Sequence, residues 1–326
     1  MRPQNPSGSD KPKSKNRILL DRSTFTTASR YEKLKSVLAA VLPQNAEVLV
    51  TPRLLSETLA VWHDNPRSAE AREHLQFILR IGNPRWFNEP VEIAKLELCA
   101  HTLPDKYYFF PPSIQRSLEQ NIKALIGGGT ARPEVMQRVR LGVQKDRERA
   151  NKLRKRGVKI QYEEPRKFKI ENPGKKPSEV NVKDAWDFEL RTRLARVGED
   201  AIVQKRIYQA GRRGIALKTW TGHKERCPFF TAWVQGILYS DFYAAHYPNS
   251  AIDKHAQADI EHLLYLEQAD VLVSEDRKFM RQAFLDLYKE RGKQYWTLDE
   301  LDQWARERSV KVEQVHELSY RTYISA

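Results

Sequence analysis

Two short apolar segments near the start of the chain, each followed by a helical pattern, place the strongest constraint on its fold. The first, in "NRILLD", spans Ile18 to Leu20 and precedes a helical pattern from Tyr31 to Leu42. The second, in "AEVLVTP", spans Val48 to Val50, and Thr51 can then cap a helix with Pro52 at its first position. Strands that alternate with helices in this way form parallel sheets, so the sequence predicts an α/β fold.

The rest of the chain suggests that this α/β domain is interrupted. We predict a disordered basic tail over 1–16, a discontinuous α/β domain over 17–64 and 228–326, and a basic, mostly helical insertion over 65–227. Two α/β halves with unrelated helices between them are the alternative. A third apolar strand, Val271 to Ser274, falls in the last part. The helices expected between the two parts of the domain are Ser68–Ile81, Pro90–His101, Ser113–Leu125, Pro133–Arg156 and Lys183–Arg212.

Composition narrows the class of protein. The chain has 326 residues and a formal net charge of +14, a field that attracts polyanions such as nucleic acid. It shows neither the apolar core of a signal peptide nor a membrane-length apolar run, so we expect a cytoplasmic protein. Cys99 and Cys227 are far apart, and without a CxxC pair a zinc ribbon is excluded.

Four carboxylates are expected at one edge of the predicted sheet. Asp21 follows the first strand directly, Asp276 lies just past the strand Val271 to Ser274, and Glu57 lies in the second turn of the helix after the second strand. Asp259 lies near the start of the helix before the last strand, and that end of the helix returns to the same edge. Open α/β sheets bind ligands at the carboxyl edge, where the strand order reverses.

Taken singly, each of these acids could simply cap a helix or be a solvated side chain. Four carboxylates close together, however, repel one another unless cations neutralise them. Oxygen ligands suit Mg²⁺ or Mn²⁺. Two such ions about 3.5–4 Å apart can activate a water and stabilise a leaving oxygen in phosphodiester cleavage.

Three stretches, "RILLDRSTF", "VLVTPRLLSETLA" and "ADIEHLLYLEQADVLVSEDRKF", resemble the successive acidic motifs of PIN-domain nucleases. The resemblance covers two parts of the chain, near 17–64 and 240–295. It implies a three-layer α/β/α sandwich with a central parallel sheet and one or two divalent metals. By position it implies that the metal-binding and catalytic acids are Asp21, Glu57, Asp259 and Asp276. It also implies supporting roles for the hydroxyl groups of Ser23 and Ser274.

The gap between Glu57 and Asp259 is longer than compact members of that family have, so Asp253, Asp241 or an acid inside the insertion compete for the place of the third acid. Three other acids are set aside because we expect them to point elsewhere: Asp270, Glu275 and Glu261. His255 and His262 flank Asp259, and we expect surface or partly buried histidines there rather than ligands.

Basic residues cluster in the predicted insertion. Residues 138–169 contain 13 Lys and Arg against four Asp and Glu, which favours a surface that follows phosphates. A solvated helix is the competing interpretation. Tyr208 and Trp220, which lie among cations, could stack on bases or belong to the core. The candidate nucleic-acid-binding residues are Arg147, Lys152, Arg154, Lys155, Arg156, Lys159, Arg212 and Arg213.

The sequence therefore predicts a PIN-like endonuclease that depends on Mg²⁺ or Mn²⁺ and hydrolyses phosphodiester bonds of single-stranded or structured RNA. RNA is preferred over DNA only because of the family resemblance. A catalytically degenerate PIN-like scaffold that binds nucleic acid is the alternative. A protein regulator or a second copy of the chain is open as a further partner.

Overall fold

The computed structural model describes most of the chain but not all of it. The described residues are 15–42, 46–64, 69–81, 85–99, 103–128, 148, 182–204, 213–246 and 256–308. Among them, every helix is too short or too polar to span a bilayer.

A five-stranded, all-parallel sheet forms the centre of the fold. Its strands are β1 (Asn16–Leu20), β2 (Ala46–Val50), β3 (Arg85–Trp86), β4 (Val271–Val273) and β5 (Gln294–Trp296). Their spatial order is β3-β2-β1-β4-β5, and every neighbouring pair is parallel. The strands β2 and β3 therefore lie on one side of β1, and the later strands β4 and β5 lie on its other side. The strand order reverses between β1 and β4, where an α/β sheet opens a crevice at its carboxyl edge.

The helices follow the predicted pattern closely. They are α1 (Ala28–Val41), α2 (Pro52–Asp64), α3 (Ala69–Arg80), α4 (Pro90–Cys99), α5 (Pro112–Ile126), α6 (Val182–Gln204), α7 (Arg213–Gly222), α8 (Pro228–His246), α9 (Ala256–Leu264) and α10 (Phe279–Leu287), with a further helix over 298–308. The predicted cap is confirmed, because the Leu54 N–H donates to Thr51 Oγ1 at 3.0 Å. The predicted helix over Pro133–Arg156 lies outside the described residues, apart from residue 148.

Apolar side chains pack on both faces of the sheet. Successive strand residues point to opposite faces. Ile18 and Leu20 belong to one buried cluster, which contains residues of α1, α2, α3 and α5. Leu19 belongs to the other, which contains residues of α4 and α6 to α10. The arrangement is an α/β fold compatible with three α/β/α layers.

Two strands were not predicted from the sequence. Both β3 and β5 are only two or three residues long, too short for a visible alternating pattern. The aromatic segment near Tyr108 forms a 3-10 helix over Asp105–Tyr108, followed by a single bridge from Phe109 to Phe87. The division into a discontinuous domain and an insertion stays a prediction, although β3 falls within 65–227 and pairs with β2.

A close helix contact positions α9, which carries two residues of the site described below. Gly236 on α8 faces Ile260 on α9, and a Cβ added at Gly236 would lie 2.3 Å from Ile260 Cγ2. A side chain at this position would force Ile260 or its surroundings to move. The close packing of α9 on α8 therefore uses the absence of a side chain at Gly236.

Candidate metal centre

The carboxyl ends of β1 and β4 meet at the point where the strand order reverses. Asp21 follows β1, and its N–H donates to the Val273 carbonyl at 2.9 Å. Ser274 follows β4 and is fully buried. Because the two strands are adjacent and parallel, the residues that leave them are neighbours.

Asp21 is held by hydroxyl groups from both strand ends. Its side chain is buried, and its Oδ2 accepts hydrogen bonds from Ser274 Oγ at 2.8 Å, from Ser23 Oγ, and from the Ser23 N–H at 3.3 Å. The last bond caps the 3-10 helix Arg22–Phe25, so Asp21 also has the capping role considered above. Ser23 and Ser274, to which the resemblance assigns supporting roles, both contact this carboxylate directly, and the roles themselves stay a prediction.

Glu57 reaches the same place from α2. Its side chain is 22% exposed, and its Oε1 accepts from Arg53 Nε at 2.9 Å, one helical turn earlier. Burial works to raise the pKa of Glu57, but the neighbouring His262 ring and Arg53 outweigh it and lower that pKa to about 2. Glu57 is therefore ionised at neutral pH.

His262 lies between these two carboxylates. Its Nε2 atom is 4.0 Å from Asp21 Oδ1 and 3.9 Å from Glu57 Oε2. One possible ligand atom from each of Asp21, Glu57 and His262 lies within 4.8 Å of the ligand atoms of the other two residues. The expectation of a surface or partly buried histidine is wrong, because His262 is fully buried. Its spacing of three residues from Asp259 was the available signal, since residues three apart share a helix face.

Asp259 is buried in the first turn of α9. Its charge contributes to the environment of Tyr295. Burial raises the pKa of the Tyr295 hydroxyl, and the negative charges of Asp276, Asp21 and Asp259 raise it further, while a contact with Ser274 lowers it. Three of the four predicted acids therefore act on one hydroxyl group, although Asp259 and Asp276 are not within the 4.8 Å group.

Asp276 shapes the loop after β4. Its Oδ1 accepts from the Lys278 N–H at 2.7 Å, and its own N–H donates to Ser274 Oγ at 3.1 Å. The adjacent Glu275 projects differently, as expected, because its Oε1 accepts from the Leu298 N–H at 2.8 Å. Ser274 thus bonds both the Asp21 carboxylate and the Asp276 backbone.

The competing acids have different positions. Asp241 is a buried residue of α8, with its Oδ2 3.8 Å from Arg193 Nη2. Asp253 and His255 lie outside the described residues. Asp270 lies at the amino edge, where its Oδ2 accepts from the Arg17 N–H at 2.8 Å, so setting it aside is confirmed.

The predicted nucleic-acid-binding residues cannot be placed around this site. Arg213 begins α7, but its side chain is outside the described part, as are all the other candidates. Trp220 is fully buried and packs edge-on against Phe230, with ring centroids 5.3 Å apart. Trp220 is therefore a core residue and not a platform for bases, and Tyr208 lies outside the described residues.

The donor set at the edge fits a divalent cation. It combines two carboxylate oxygens and an imidazole nitrogen, which are established ligand types for divalent metals. The carboxylates are oriented by hydroxyl groups and by Arg53, as the ligands of metal sites are oriented by outer partners. The resemblance to PIN-domain nucleases stays a prediction. When the chain was compared with protein-family models, with curated proteins and with solved structures, none matched.

Proposed function

We propose that this protein is a divalent-metal-dependent, PIN-like endonuclease acting on RNA. The observation that carries the proposal is the meeting of Asp21, Glu57 and His262 within 4.8 Å at the carboxyl edge of the sheet. This edge lies where the strand order reverses, the usual ligand-binding position of an open α/β sheet. A three-layer PIN-like domain is the finer description that we propose for the fold.

The residues that would hold Mg²⁺ or Mn²⁺ are Asp21 and Glu57, with Asp259 and Asp276 as the further acids of the centre. A divalent cation bound by such acids lowers the pKa of water and stabilises the leaving oxygen in phosphodiester hydrolysis.

The chain's own residues keep these acids ready for a cation. Ser23 and Ser274 both donate to Oδ2 of Asp21, which fixes the orientation of that carboxylate. Arg53 holds one oxygen of Glu57, and the low pKa of Glu57 keeps its charge at neutral pH. Glu57 can therefore bind a cation without first losing a proton, and the fixed Asp21 carboxylate lies beside it.

A nucleic-acid substrate is supported by charge, and RNA in particular by the family resemblance alone. A net charge of +14 favours a polyanionic partner, and the basic residues of 138–169 would follow its phosphates. Binding through such contacts should weaken steeply as salt rises.

A cleavage assay on two matched variants tests the proposal. Metal-stripped protein is incubated with labelled single-stranded RNA in Mn²⁺, in Mg²⁺ and in chelator. We expect cutting only with metal, and a loss of roughly 100-fold or more in Asp21→Asn, comparable to losing one electrostatic group in other active sites. Asp270→Asn is the control, because Asp270 lies beside the other end of β4 and contacts the amino edge through the Arg17 N–H.

Equal activity in wild type and Asp21→Asn would contradict the site. Salt-sensitive RNA binding with no cutting in either cation would instead support the degenerate scaffold. A melting temperature that rises with metal in wild type but not in Asp21→Asn locates the cation independently of the substrate.

A further inference from the structure

The imidazole of His262 is buried in a way that its surroundings do not explain. The ring is fully buried in α9, and neither of its nitrogens has a hydrogen-bond partner among the described residues. A buried polar atom left without a partner costs about 1–3 kcal/mol in typical proteins. Such an atom, aimed at two carboxylates, indicates that something else completes its bonding.

Each carboxylate facing His262 uses its two oxygens differently. Asp21 places Oδ2 against the hydroxyl groups of Ser23 and Ser274, while its Oδ1 faces Nε2 of His262. Glu57 places Oε1 against Arg53, while its Oε2 faces the same nitrogen. One oxygen of each acid is oriented by the protein, and the other turns toward a common point. Metal ligands are oriented by outer partners in this way.

The distances suit a shared cation better than direct hydrogen bonds. A protonated imidazole bonded to a carboxylate stands about 2.7–2.9 Å from it. Here the separations are 4.0 Å to Asp21 and 3.9 Å to Glu57. Ligand atoms about 2.0–2.2 Å from one metal ion are at most roughly 4.4 Å apart. The three ligand atoms lie up to 4.8 Å apart, so shifts of a few tenths of an ångström in the side chains would bring all three within bonding distance of one ion.

We propose that His262 is a direct metal ligand, and that the centre therefore takes a first-row transition cation such as Mn²⁺ in preference to Mg²⁺. Imidazole nitrogen suits transition metals, whereas Mg²⁺ prefers oxygen ligands and retains its waters. The all-carboxylate set expected from the sequence would show much less of this preference. The inference rests on the metal centre of the proposed function, but not on RNA as its substrate.

The test compares two buried histidines in the full-length protein. His262→Gln removes the proposed ligand. His74→Gln is the matched control, because His74 is also buried, its Nδ1 lacks a hydrogen-bond partner among the described residues, and it lies 3.9 Å from Glu70. The metal-stripped proteins are titrated with Mn²⁺ and with Mg²⁺, and the melting temperature is followed.

We expect wild type and His74→Gln to bind Mn²⁺ roughly 100-fold more tightly than Mg²⁺, in keeping with the general preference of nitrogen-containing sites. In His262→Gln, Mn²⁺ binding should weaken by at least about tenfold, the loss associated with a disturbed metal site, while Mg²⁺ binding changes little. Pulsed electron paramagnetic resonance of bound Mn²⁺ gives a direct readout in wild type. Coupling to an imidazole nitrogen should appear there and vanish in His262→Gln.

Bound Mn²⁺ without nitrogen coupling in wild type would overturn the inference, even if His262→Gln failed to fold. Metal-dependent RNA cleavage without that coupling would leave the proposed nuclease standing and remove His262 as a ligand. Nitrogen coupling without cleavage of RNA would support the ligand and count against the nuclease. A failure of every cation to bind would overturn both.

Discussion

Two buried carboxylate centres in this protein differ in how their charge is satisfied. Glu97 on α4 is fully buried and accepts hydrogen bonds from the N–H groups of Phe229 and Phe230, at 3.1 and 2.8 Å, and from the Tyr108 hydroxyl at 2.9 Å. Those N–H groups lie in the first turn of α8, where helical N–H groups lack partners within the helix. Burial outweighs these neutral donors and raises the pKa of Glu97 to about 7.

The carboxyl edge of the sheet provides the contrast. Burial also acts on Glu57, but His262 and Arg53 bring its pKa to about 2. Neutral donors allow Glu97 to hold a proton near neutral pH, whereas groups that can carry positive charge keep Glu57 ionised. Glu97 therefore has the environment of a structural helix cap, and the Asp21–Glu57 pair has that of a cation site.

The largest effect should come from a further acid of the carboxyl edge. We expect Asp276→Asn to reduce RNA cleavage by roughly 100-fold or more, because one charge near the reacting phosphate is lost. Glu275→Gln is the control, since Glu275 lies next in sequence but contacts the Leu298 N–H. The rates are measured at saturating Mn²⁺. Equal losses in both variants would indicate a disturbed loop instead of a missing metal-centre acid.

The next effect concerns stability and pH. The pKa of Glu97 is about 7 in the folded protein, against an ordinary value of 4.5 for a glutamate, so the folded protein binds this proton more tightly than the unfolded chain does. Its contribution to stability is therefore fully present below about pH 4.5 and is lost as pH rises to about 7. The loss should reach about 3 kcal/mol at most, because each pKa unit corresponds to about 1.4 kcal/mol.

Glu97→Gln should remove this pH dependence and leave Mn²⁺ binding unchanged. The measurement is the free energy of unfolding between pH 4.5 and 8, taken as a difference from wild type. Glu92→Gln, an exposed change on the same helix, should keep the wild-type slope. A Glu97→Gln variant with an unaltered slope would show that another group carries the proton.

A smaller effect is expected from the hydroxyl group that links two acidic residues. Ser274 Oγ donates to Asp21 and accepts from the Asp276 N–H, so Ser274→Ala releases both. We expect Mn²⁺ affinity, measured by titration, to fall about tenfold, the lower end of the effect of such supporting groups. Ser240→Ala is the control, because that buried hydroxyl bonds within α8, to the Gly236 carbonyl. Unchanged Mn²⁺ affinity in Ser274→Ala would mean that the hydroxyl group that contacts Asp21 does not support metal binding.

The part of this centre that the sequence predicted depends on local rules. Asp21 could be placed because a residue directly after a parallel strand must lie at the carboxyl edge. Glu57 could be placed because Thr51 and Pro52 fix where α2 begins. These arguments need only a strand, a cap and the direction of the chain, and the sequence carries all three.

The part that could not be predicted depends on packing between distant segments. The burial of His262 follows from where α9 rests, and α9 packs closely on α8, where Ile260 meets Gly236. Glu97 has no distinguishing pattern in α4, and its two backbone donors come from residues more than 100 positions later. A histidine or a glutamate is expected at the surface until its partners are known.

The smallest effect should sharpen the contrast between the two centres. Tyr108→Phe removes one of the three donors to Glu97 and should destabilise the fold by about 1 kcal/mol, the usual contribution of one hydrogen bond. Because that donor lowers the pKa of Glu97, the variant should also hold the Glu97 proton to higher pH, so its loss of stability extends above pH 7. Tyr107→Phe, at the neighbouring and exposed ring, should change neither quantity. Unfolding followed at several pH values tests both expectations, and an unshifted pH dependence in Tyr108→Phe would mean that the two backbone donors alone set the state of Glu97.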